Sequence, residues 1–195
     1  NDTAMIFRIK LYWWSSLLAA IVMGLVAWLL GGASNLVGST GSIGHALGLG
    51  VLAGVGCMVA NFLLDRSLRL IFGDRYIKAF ETFALDVIGR MGPIEALSGG
   101  IMAGAGEEPL FRGVLLPLCG PPVVGIIVAG IVFGLAHYLR REYFGFLIWG
   151  MGEGFVFGTL YVVTGSILVP AVAHGLFDTV GFLYFERLRR LAQPK

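Results

Sequence analysis

Two adjacent glutamates and an arginine one turn further on, in Glu107-Glu108-Pro109-Leu110-Phe111-Arg112, interrupt a stretch from Ala96 to Leu139 that holds no other charge beyond a possible one on His137. On a helix, residues four apart share a face while adjacent ones point about 100° apart, so the spacing predicts that Glu108 pairs with Arg112 and Glu107 faces elsewhere. One carboxylate is then neutralised and the other is left to act as a base. An ion pair that only holds helices together is the plainer reading, but it needs no second glutamate. Pro109 removes a backbone hydrogen bond and crowds the preceding turn, which predicts a kink beside the glutamates.

Two further segments carry ionisable groups in apolar surroundings. Phe133 and His137 lie four apart, as do His174 and Asp178. Polar groups inside a membrane have to converge to satisfy one another, so three such segments are expected to meet in one cavity. Hydrolysing a peptide bond needs a polarised water, a base and a donor for the oxyanion, and these residue types can supply all three. No Ser, Cys or Thr occupies a position in these motifs to act as nucleophile, which points to direct attack by water.

The elements that must position these groups are membrane helices. The 195 residues are 57% hydrophobic and 13% charged, against about 25% charged in soluble domains, and the mean hydropathy is +0.85. Apolar windows of the roughly 20 residues needed to cross a bilayer run from about Tyr12 to Leu30, His45 to Leu64, Ala96 to Leu118, Pro121 to Leu139, Phe144 to Val163 and Ile167 to Phe185. They are continuously apolar and rich in Gly, Ala and Leu, which argues for helices and against a barrel of alternating strands. The first window is too long for the apolar core of a signal peptide and is read as a span. The fold class is therefore all-α: a polytopic bundle of about six transmembrane helices.

Apart from Arg112, all of the 14 Lys and Arg fall before span one, between spans two and three, between four and five, or after six. The positive-inside rule then places both termini in the cytoplasm. Topology accounts for the basic residues, so no nucleic-acid partner is expected. Asp74 to Arg90 sets Tyr76, Phe80, Phe83 and Val87 at spacings of three and four among charged residues, the pattern of an amphipathic helix on the membrane surface. The organisation is a single membrane domain, with two spans and this surface helix in residues 1–92 and a core of four spans in residues 93–190. Gly150, Gly154 and Gly158 mark a close-packing face in span five. Cys57 and Cys119 form no metal-type pair and suggest no disulfide framework.

At 1.5 Å per residue, Glu107 lies about 20 Å from the turn at Gly120, His137 about 24 Å from it, and His174 about 10–14 Å from the turn near Gly165. A cavity in the middle to cytoplasmic part of the bundle can hold all three.

The ordered series Glu-Glu-x-x-x-Arg, Phe-x-x-x-His and His-x-x-x-Asp resembles the CAAX prenyl endopeptidase and bacteriocin-processing (CPBP, Abi) family of intramembrane proteases, over about Ala96 to Phe185. The resemblance implies a peptidase with Glu107 as the base that activates water, helped by His137, and with Glu108, Arg112 and Phe133 in support. His174 and Asp178 fall where the family places its oxyanion-stabilising pair. The substrate it implies is a peptide or lipidated protein.

Asp178 departs from the prenyl endopeptidase branch, which has Asn there. An amide donates to an oxyanion and an ionised Asp cannot, so Asp178 is protonated, orients His174, or ligates a metal. Glu107, His137 and His174 would make an acceptable zinc site with an open water position, but no His-Glu-x-x-His helix is present. The expectation is a site without a cofactor, with zinc as the alternative. Glu153, between Gly152 and Gly154, either lines the substrate path or is a protonated packing residue. Two other functional classes remain at this stage: a proton-coupled carrier, which predicts inverted repeats, and a catalytically silent immunity or scaffold protein.

Overall fold

A computed structural model of the chain describes residues 2–74, 77–78, 82, 91–138, 141 and 144–192. The expected surface helix over Asp74 to Arg90 lies mostly outside the described residues. Among the described residues, six helices of 15 residues or more follow one another: α1 (Asp2–Leu29), α2 (Ile43–Phe72), α3 (Pro93–Glu108), α4 (Pro122–Ala136), α5 (Phe144–Thr164) and α6 (Leu168–Ala192). No strand occurs among the described residues. Each helix overlays one apolar window, and the ends differ where polar residues extend a helix past the hydrocarbon-length core. Thus α6 runs on to Ala192 because Glu186 pairs with both Arg189 and Arg190 on its last turns.

α2, α5 and residues Leu168–Leu191 of α6 are long and apolar enough to cross a membrane, while Leu17–Leu29 and Pro122–Ala136 are shorter apolar helices. Large side chains such as Leu70, Ile94, Leu118 and Val163 are more than 70% exposed. Water would penalise an apolar surface this extensive, whereas lipid does not. The chain is an integral membrane protein.

α3 packs against α1 and α6, α2 also packs on α6, and α4 pairs with α5. Small residues set these approaches. A β-carbon on Gly104 would lie 2.2 Å from the Ala171 carbonyl oxygen, so α3 and α6 meet backbone to backbone. Gly154 faces Gly130 in the same way, and Gly150, Gly154 and Gly158 are all buried, as their four-residue spacing predicts. At the end of the bundle away from His137, the Ile167 and Leu168 N–H groups donate to the Asn35 and Leu36 carbonyls, tying the α1–α2 connection to the start of α6.

The disruption expected at Pro109 takes the form of a π-helical segment, Pro109–Leu115, through which α3 continues into a final turn, Leu116–Leu118. Pro109 keeps right-handed helical angles. The missing donor and the ring are accommodated by widening the next turn, and the Leu116 N–H bonds back to the Phe111 carbonyl. The wide turn rests on Gly32, where a β-carbon would meet the Pro109 carbonyl oxygen at 2.6 Å.

Candidate active site

Glu108 ends α3, and Arg112 lies inside the π-helical segment. Arg112 Nη1 is 3.0 Å from Glu108 Oε1, with both side chains fully buried. The i,i+4 ion pair read from the spacing is present. A second partner was not legible: His174 Nδ1 is 2.8 Å from the same Glu108 oxygen. A carboxylate only accepts, so Nδ1 carries the proton and donates it to Glu108. Arg112 Nη2 also donates to the Gly154 carbonyl at 3.4 Å, which ties α3 to α5.

Aromatic rings close around this buried pair. The Arg112 guanidinium carbon lies 4.5 Å from the Phe133 ring centroid and 5.6 Å from that of Phe157, within the range of cation–π attraction. Phe157 stacks on His174 at 4.8 Å, and Phe133, itself fully buried, meets Phe111 edge to face at 5.0 Å. Phe133 thus holds Arg112 in place, with no atom exposed to water or substrate.

The other charged groups open onto a cavity of about 570 Å³. Glu107, His137, Glu153 and Asp178 all line it, together with Met58, Asn61 and Phe62 from α2 and Ala19, Ala20 and Met23 from α1. The two adjacent glutamates therefore separate, Glu108 into the buried ion pair and Glu107 onto the cavity. Glu107 Oε2 is buried and has no hydrogen-bond partner. His137 caps the C-terminus of α4, and its Nδ1 lies 2.8 Å from the Phe133 carbonyl oxygen. A carbonyl only accepts, so in neutral His137 the proton sits on Nδ1 and Nε2 keeps its lone pair.

His174 was expected to face Glu107 beside His137. It is buried beside the cavity, with Nδ1 committed to Glu108 and Nε2 directed at 3.5 Å toward Oδ2 of Asp178, which lines the cavity. This contact joins Asp178 to His174 across one helical turn of α6.

Among the described residues, the set offering ligand atoms all within 4.8 Å of one another is Glu153, His174 and Asp178. The zinc set expected from sequence, Glu107, His137 and His174, is not such a group. Glu153, for which the sequence leaves substrate path and packing both open, stands beside Asp178 at the cavity wall. Asn61 was missed altogether; the signal available was a carboxamide inside the apolar run from Val59 to Leu64.

Comparison with known proteins agrees with the ordered motifs. Residues 90–180 match the family model described as type II CAAX prenyl endopeptidase Rce1-like. A relative from Bacillus subtilis (strain 168), the uncharacterized protein YpbD, is 33% identical over 86 residues, which span 43% of this chain and 43% of that protein. No solved structure matches. The matched segment begins just before α3, ends within α6, and contains every charged residue of the buried pair and the cavity wall apart from Asp65 and Arg69. Residues 90–180, just under half of the chain, are thus similar to the Rce1-like type II CAAX prenyl endopeptidases.

Proposed function

We propose that the protein is an intramembrane endopeptidase that hydrolyses a peptide bond with water activated by Glu107 and His137. The observation that carries this reading is the meeting of Glu107, His137 and Asp178, from three different helices, on one cavity, with the Glu108–Arg112–His174 cluster fixed behind it. The similarity of residues 90–180 to the Rce1-like type II CAAX prenyl endopeptidases supports the same reading, and with it a CAAX-type substrate, a prenylated peptide or protein cut near its C-terminus.

In this scheme a water molecule hydrogen-bonds through one O–H to the Glu107 carboxylate and through the other to His137 Nε2, so a lone pair faces the scissile carbonyl carbon and Glu107 takes the first proton as the water attacks. The water oxygen forms the new C–O bond, the C–N bond breaks, and the proton taken by Glu107 passes to the leaving amine. His174 donates Nδ1–H to Glu108; in its doubly protonated form it presents Nε2–H beside Asp178, where an oxyanion can receive it. Glu108 and Arg112 are positioning residues that act through His174.

No step of this scheme uses a metal ion. If a divalent cation is held, Glu153, His174 and Asp178 are the residues placed to hold it, and it would polarise the substrate carbonyl. We further infer six membrane spans with both termini in the cytoplasm, because the basic residues cluster in the connections on that side. The direct test is cleavage of a quenched fluorescent peptide by the purified protein, beside Glu107→Gln and His137→Ala. Activity unchanged in both variants refutes the assignment.

A further inference from the structure

Part of the cavity wall comes from α2, which lies outside the matched residues 90–180. Met58, Asn61, Phe62, Asp65 and Arg69 line it, at spacings that put all five on one stripe of the helix. At the outer end of the stripe Asp65 and Arg69 pair at 2.7 Å, and Arg69 Nη2 donates to the Tyr184 hydroxyl. Asn61 stands further in, one turn from Asp65 and two from Arg69, about 6 and about 12 Å along the helix axis. Its Oδ1 is buried and has no hydrogen-bond partner.

A carboxamide oxygen left unpaired in an apolar helix is unfavourable for folding, and an aliphatic residue of the same size would pack there without that penalty. Its position on the cavity wall, in the same cavity as Glu107, gives the amide something to bind. A carboxamide offers a donor and an acceptor side by side, the complement of one peptide group, and a half-turn of its last side-chain bond exchanges the two. The distance of about 6 to 12 Å from Asn61 to the Asp65–Arg69 pair accommodates roughly two to four residues of extended chain at about 3.3 Å each.

We propose that Asn61 binds the substrate backbone, hydrogen-bonding one peptide group of a chain that lies along the α2 stripe with its scissile bond at Glu107. The assignment rests on the endopeptidase reading and adds to it a substrate-positioning residue from outside the family segment. It also sets two properties of Asn61 against each other: the amide that serves binding weakens the fold.

The test uses the full chain in detergent micelles or proteoliposomes and a quenched fluorescent farnesylated peptide ending in a C-a-a-X sequence. For Asn61→Leu the expected result is a KM raised about tenfold, kcat within about threefold, and a thermal unfolding midpoint equal to or above the parent's. Asn61→Gln, which keeps the amide, should recover part of the KM loss. Cleavage by the parent chain with an unchanged KM in Asn61→Leu overturns the assignment and leaves the endopeptidase reading standing. A lowered midpoint in Asn61→Leu, with KM and kcat falling away together, marks Asn61 as structural and overturns it as well. A parent chain that cleaves no peptide overturns the endopeptidase reading, and this assignment with it.

Discussion

Glu108 and His174, 66 residues apart in sequence, meet at 2.8 Å from Oε1 to Nδ1, and Arg112 Nη1 lies 3.0 Å from the same oxygen. One carboxylate oxygen therefore serves a cation from its own helix and an imidazole from α6. The ion pair is a scaffold for His174 as well as a means of neutralising charge in the membrane.

Removing the cation should show this directly. Arg112→Met leaves the Glu108 carboxylate buried against His174 alone, and breaking a buried pair from one side costs roughly 3–5 kcal/mol. The expected outcome is a clear drop in unfolding midpoint in detergent together with lost cleavage. Glu108→Gln combined with Arg112→Met should restore much of the midpoint and little of the activity. A midpoint unchanged by Arg112→Met would show that the pair carries no such load.

Glu107 should behave in the opposite way. Its Oε2 has no protein partner, so Glu107→Gln should leave the midpoint within about a degree while cleavage falls by about 10²–10⁴, the usual contribution of a positioned base. His137→Ala should reduce kcat by a smaller factor, because it removes only the second acceptor for the water. Rates measured on the purified variants check both, and residual activity near the parent's in Glu107→Gln contradicts the role.

Metal removal separates the two chemistries the site can support. Cleavage is expected to survive dialysis against excess chelator, with elemental analysis giving well under one metal per chain. A stoichiometric metal that disappears in Glu153→Gln would replace the metal-free scheme with one built on Glu153, His174 and Asp178.

Topology is checked with single cysteines in a background lacking Cys57 and Cys119. Ser42→Cys, ahead of α2, should react with an impermeant maleimide added to intact cells. Lys78→Cys should react only after the membrane is opened. The reverse pattern would invert the orientation.

The helices were legible because lipid demands about 20 apolar residues per crossing, and the windows from Tyr12 to Phe185 supply them. Their ends were not: α2 runs on to Phe72 with Asp65 and Arg69 paired on its surface, an interaction that a hydropathy window counts as polar and cuts off. Glu108–Arg112 could be read because both partners lie within one turn. His174–Glu108 and Glu153–Asp178 could not, because helix rotation and tertiary approach set those contacts and sequence separation carries no trace of either. Asn61 was passed over because a single amide changes the hydropathy of its window little.

The π-helical turn has a consequence for how this chain tolerates change in length. A turn holding one residue more than an α-helical turn offsets every later side chain by about 100° relative to an uninterrupted helix. Gly113 meets Gly32 and the Leu116 carbonyl meets Gly125 only in that offset phase. Closing this turn to α form without removing a residue would swing Leu116 off Gly125 while Glu107 upstream kept its place, whereas deleting one residue between Leu110 and Leu115 would let the turn close with every later side chain in its present phase. A one-residue deletion is therefore better tolerated in this turn than elsewhere in the helix.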